Sequence, residues 1–129
     1  MALLDVDLSN HIPAGWYATW RIDSFAANRF RVVLRDSQAT HVDTNTRGKG
    51  GPDLVDTNSK RVGPGLRLTV ENISASDGAH VDDDWHLVVN PRDPARSPCA
   101  VGYNAFIEDS SDFDLNDLTI SLTAHKSGA

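Results

Sequence analysis

The chain has 129 residues and a mass of 14.0 kDa, a length that suits one domain, and 40% hydrophobic residues suffice for a core. Its net charge of -6 argues against nucleic acid or an anionic membrane as partner, since both are held through basic stripes, and no apolar run is long enough to span a bilayer. A lone cysteine, Cys99, excludes an intramolecular disulfide and suits a reducing compartment.

The N-terminal stretch from Met1 to Asp7 has no basic region ahead of its apolar residues and alternates at once, so it does not read as a signal peptide and cytoplasmic synthesis is expected. In that stretch Leu4, Val6 and Leu8 alternate with Asp5 and Asp7. Trp16, Ala18, Trp20 and Ile22 follow in the same rhythm, then Phe30, Val32 and Leu34 against Arg31, Val33 and Arg35. Period-two alternation predicts half-buried strands. The three tryptophans, Trp16, Trp20 and Trp85, fall in phase with the apolar residues of their strands and so belong to the core. Tyr17, out of phase, is the better exposed aromatic.

Residues 36–65 are the least regular part. Arg47-Gly48-Lys49-Gly50-Gly51-Pro52 and Val62-Gly63-Pro64-Gly65 are turn sequences around segments, Thr40-His41-Val42 and Asp53-Leu54-Val55, that have short-strand character. The glycine cluster is no phosphate cradle, because it lacks the G-K-[ST] ending and a following helix. Leu66, Leu68 and Val70 resume the alternation, as do Trp85, Leu87 and Val89. Between these two strands lies His80-Val81-Asp82-Asp83-Asp84-Trp85-His86. It is read as a turn before a strand, with Trp85 and His86 on opposite faces, rather than as a metal or general-base site. The three prolines between Asn90 and Pro98 mark a surface connection. Two further strands, around Val101–Ile107 and Leu118–Ala124, bring the count to about seven, and the fold class expected is all-β, an antiparallel β-sandwich of about seven or more strands.

Between the last two strands runs Glu108-Asp109-Ser110-Ser111-Asp112-Phe113-Asp114-Leu115-Asn116-Asp117, five carboxylates and an amide, with no Lys or Arg from residue 97 to residue 125. Like charges this close repel one another unless they are fully solvated or share a multivalent cation. Strands at both ends restrain the loop and favour the cation. The ligands are all oxygen, with no imidazole or thiolate, which selects calcium. A helix-loop-helix calcium site is excluded, because Asp117 stands at its glycine position and Thr123 at its terminal glutamate position. The oxygens suffice for one or two calcium ions, two of which would set four positive charges against five negative ones. Bound calcium keeps carboxyls ionised, so the loop suits binding better than acid catalysis, and with no G-x-S-x-G elbow the chain is not expected to be an enzyme.

The E-D-x-x-D-x-D-x-N-D arrangement, followed by a final strand, resembles the signature of the bacterial calcium-dependent fucose- and mannose-binding lectins, which are small β-sandwich proteins. The resemblance implies that Glu108, Asp112, Asp114, Asn116 and Asp117 are calcium ligands and that Asp109 accepts a hydrogen bond from a sugar. An early F-A-N stretch of the family carries a further ligand, matched here by Asn28 in Ser24-Phe25-Ala26-Ala27-Asn28-Arg29, although Arg29 replaces a small residue. In the family a C-terminal glycine carboxylate reaches into the partner subunit's site, and a homodimer is the assembly this implies. The end here, His125-Lys126-Ser127-Gly128-Ala129, departs from that pattern. Lectins of this type also reach the cell surface without a cleaved signal. A lectin for fucose- or mannose-like sugars is therefore expected; the alternative is a calcium-stabilised structural or adhesion module that binds no sugar.

Overall fold

In the computed structural model the structure describes residues 2–73, 80–108 and 117–126. Nine strands occur among them: β1 (Ala2–Asp7), β2 (Tyr17–Ser24), β3 (Phe30–Arg35), β4 (Thr40–Asn45), β5 (Asp53–Arg61), β6 (Arg67–Asn72), β7 (His80–Val89), β8 (Pro98–Glu108) and β9 (Leu118–His125). They form an antiparallel β-sandwich of two sheets, ordered β1-β6-β3-β4 and β5-β2-β9-β8-β7. No helix among the described residues is long and apolar enough to cross a membrane.

The interior strands carry the strictest alternation, because only one of their faces meets the opposite sheet. Ala18, Trp20 and Ile22 of β2, Phe30, Val32 and Leu34 of β3, and Leu118, Ile120, Leu122 and Ala124 of β9 all point inward and are buried. Each buried aliphatic or aromatic side chain contributes about 1.5–3 kcal/mol of transfer free energy. Trp16 and Trp20 are core residues as expected, and the Trp20 indole satisfies its N–H on Asp56 Oδ2 at 2.8 Å.

Three local expectations change. Leu8 does not extend β1, because the Asp7 carboxylate accepts the Ser9 N–H at 3.0 Å and turns the chain into a 3-10 turn at Leu8–Asn10. Leu8 is fully buried nonetheless. The irregular 36–65 stretch supplies two whole strands, β4 and β5, both at sheet edges. Asp82–Asp84 lie within β7 rather than in a turn before it, since their backbone pairs with Asn104–Phe106 of β8. Being the outermost strand of the wider sheet, β7 leaves Trp85 half-buried and Leu87 46% exposed. Three consecutive carboxylates on such an edge discourage another strand from pairing there.

Candidate functional site

The antiparallel order brings the ends of β2 and β8 and the start of β9 to one end of the sandwich. Ile107 and Ser24 both pair with Leu118 across their ladders, so Glu108 and Asp117 form the neck of the acidic loop with β2 alongside. Asp109, Asp112, Asp114 and Asn116, the other residues expected to bind calcium or sugar in this loop, lie outside the described residues.

Glu108 closes β8 with 0% of its surface exposed. A carboxylate withdrawn from water stays ionised only where cations or hydrogen-bond donors replace the lost hydration. Asp53, another buried carboxylate at this end, is neutralised by Arg47, whose Nε lies 3.2 Å from Oδ2 and whose Nη2 contacts Oδ1. The Arg47 guanidinium lowers the Asp53 pKa. Asp53 is thus committed to an ion pair.

Asn28 reaches this end through a turn that the structure ties to Asp117. The Asp117 carbonyl oxygen accepts from Phe25 N–H at 3.0 Å, Ala26 N–H at 3.2 Å and the Ser24 hydroxyl at 3.1 Å. Further along the same turn, Ala26 and Arg29 offer their carbonyls to Gly50 N–H at 3.1 Å and Ile73 N–H at 2.9 Å. Gly48 also crowds it. With φ at +66°, a conformation that favours glycine, a Cβ there would stand 2.7 Å from the Ala27 carbonyl oxygen. Glu108, Asp117 and Asn28 thus come from three parts of the chain to one end of the fold. Their side chains offer only hard oxygen acceptors and an amide, a donor set that fits calcium. Among the described residues no group of three or more His, Cys, Asp or Glu side chains could hold a metal by itself.

The other sequence candidates have structural roles. Alternation puts His80, Asp82, Asp84 and His86 on the outer face of β7, with Asp83 on the side of Trp85. Asp83 accepts the Tyr103 hydroxyl at 3.0 Å; burial raises the Tyr103 pKa and the Asp83 carboxylate adds to it. Tyr17 is partly exposed, but its ring stacks with His125 at 6.2 Å and lies under the Arg61 guanidinium at 4.9 Å.

One polar cluster had no sequence signal. At the opposite end of the sandwich Asp36 is buried and accepts four hydrogen bonds: Gln38 N–H (2.8 Å) and Ala39 N–H (2.9 Å) on Oδ1, His41 Nε2 (2.6 Å) and Gly63 N–H (2.7 Å) on Oδ2. Burial pushes its pKa up, but these hydrogen bonds outweigh it and bring the group down to about 2 from its ordinary 3.8. His41 turns inward because the β3–β4 register shifts beside it, which sets it on the side of Val42. Only the local part of this cluster, an Asp at a turn, is a recognisable pattern.

No protein-family model and no curated protein matches the chain. Solved structures do match in fold. The Ralstonia solanacearum high-affinity mannose-binding lectin superposes with a TM-score of 0.64 at 16% identity, over 92% of this chain and 95% of that one. The C-terminal domain of the BC2L-C lectin from Burkholderia cenocepacia gives 0.65 at 14% identity, covering 99% and 100%. The Chromobacterium violaceum lectin CV2L, in complex with alpha-methyl-fucoside, gives 0.59 at 16%, covering 92% and 95%. The chain therefore has the β-sandwich fold of these bacterial fucose- and mannose-binding lectins, the family its acidic signature resembles.

Proposed function

We propose that the protein is a calcium-dependent lectin that recognises fucose- or mannose-like sugars at the 108–117 end of the sandwich. One observation supports this most directly: a fully buried carboxylate, Glu108, stands at the neck of the acidic loop with the Asn28 turn tied to Asp117 beside it. The shared fold with mannose- and fucose-binding lectins agrees with it. Glu108, Asp112, Asp114, Asn116, Asp117 and Asn28 would hold one or two calcium ions. When bound, calcium supplies exchangeable coordination positions that vicinal sugar hydroxyls can take from water.

The chain's own groups then do the orienting. Asp109 accepts a hydroxyl proton in a charge-assisted hydrogen bond, which distinguishes ring stereochemistry by direction. The hydrogen bonds on the Asp117 carbonyl restrain the 24–28 turn before ligand arrives, so less ordering is needed on binding. A homodimer would present two such sites to one glycan-coated surface and raise avidity. The test is a glycan array run in calcium and in chelator. Retention of fucosylated or mannosylated glycans in calcium alone is the expected result. Calcium uptake by calorimetry with no glycan retained would replace the lectin by the calcium-stabilised structural module.

A further inference from the structure

At the end of the sandwich opposite the acidic loop, the segment between β1 and β2 meets the start of β8 and the residue after β9 around a cleft of about 340 Å³. We infer that this cleft is a second, calcium-independent binding site for an anionic sugar ring of the hexuronate class. It goes beyond the lectin reading, because it shares no residue with the 108–117 end.

The walls are fixed by the backbone. Gly15 N–H donates to Val62 O at 2.8 Å and Val62 N–H to Trp16 O at 2.9 Å, which ties the segment before β2 to the residue after β5, and Lys126 N–H donates to Cys99 O at 3.0 Å. The His11 ring packs on Trp85 with centroids 4.4 Å apart. Against this frame the lining divides by chemistry. Pro13 and Pro98, with the 8% of the core residue Trp16 that remains exposed, form a small apolar side against which the C–H face of a pyranose can pack. Asn10, His11 and Ser97 supply polar groups, and no hydrogen bond among the described residues uses their side chains.

Charge selects among sugars. In a chain of net charge -6, the described lining contains one cation, Lys126, and no carboxylate. A single ammonium matches a monoanionic carboxylate, whereas a phosphate dianion is usually cradled by several donors or a helix N-terminus. The volume is at the lower end of small-molecule sites, which suits one ring and not a nucleotide or an extended peptide.

The experiment is a titration of the full chain with sodium glucuronate, followed by backbone amide and tryptophan indole NMR, in calcium and again in chelator. Saturable shifts at Trp16, His11 and Lys126 are expected, with Kd on the order of 1 mM in both buffers, as a single small ring reaches through a few contacts. Lys126 is exposed, so Lys126→Ala should fold normally and weaken glucuronate about tenfold, and neutral glucose should bind the wild type more weakly by a similar factor. Asp114→Ala should leave glucuronate binding unchanged, which separates this site from the acidic loop. Absence of saturable shifts up to about 50 mM glucuronate would overturn the inference. Equal binding of glucose and glucuronate, or equal shifts with acetate alone, would likewise overturn the hexuronate assignment.

Discussion

Replacing Asp36 with alanine removes the acceptor of four donors in a place where two of them have little access to water. Gln38 and Ala39 are exposed and can turn their N–H groups to solvent, but the His41 side chain is only 5% exposed and Gly63 lies so close that a Cβ would stand 2.9 Å from Asp36 Oδ1. A carboxylate only accepts, so His41 Nε2 carries the hydrogen in this pair. Leaving two such donors unpaired should cost about 3–5 kcal/mol. Urea unfolding followed by tryptophan fluorescence measures it, since Trp20 lies 6.0 Å from the His41 ring. The pH dependence supplies an independent check. Because the folded pKa of about 2 lies below the ordinary 3.8, the contribution is fully present above 3.8 and is lost as pH falls through 2. That difference is worth up to roughly 2 kcal/mol, and the variant should lack this part of the acid limb. A loss below about 1 kcal/mol at neutral pH, or parallel acid limbs for variant and wild type, would refute the assignment of Asp36 as the organiser of this end.

In the acidic loop, Asp114→Ala should weaken calcium at least about tenfold in a calcium titration, whereas Asp83→Ala should leave it within about twofold and lose only the roughly 1 kcal/mol of the Tyr103 hydrogen bond. Equal effects would mean that bulk charge alone matters. Asp109→Ala should keep calcium and lose fucose or mannose affinity by about one to two orders of magnitude, with both equilibria read by calorimetry on one preparation. Gly48→Ala should lower stability by about 1–3 kcal/mol, through its positive φ and the collision with the Ala27 carbonyl, and weaken calcium by disturbing the Asn28 turn; an unchanged thermal melt would show that the loop yields freely.

Apart from β1 and the Trp85–Val89 half of β7, the legible strands are the interior ones. β2, β3, β6, β8 and β9 each have neighbours on both sides and one face on the core, so burial itself imposes period two on them. β4, β5 and β7 are edges with few buried residues, and weak burial leaves a weak pattern. For this reason the 36–65 stretch reads as irregular and the Asp82–Asp84 run reads as a turn. His41 evades the alternation because a register shift turns it inward, and Gly63 joins Asp36 from 27 residues away without a local signal. Glu108 and Asp117 are legible as the two ends of an acidic run between strands. The meeting of the Asn28 turn with Asp117 depends on β2 pairing with β9, a contact that no local periodicity encodes.

That contact divides the proposed site by folding time. β8 and β9 are neighbours in one hairpin, so the neck at Glu108 and Asp117 can close early at a small loop-closure cost. The hydrogen bond from Ser24 to Asp117 instead spans 93 residues and must await docking of β2. On the proposed assignment a calcium ion meeting the nascent hairpin would find only the ligands of the loop, and the Asn28 turn would join them last. On this assignment calcium held by the loop should accelerate folding, while the added hold of the Asn28 turn should show only as slower unfolding.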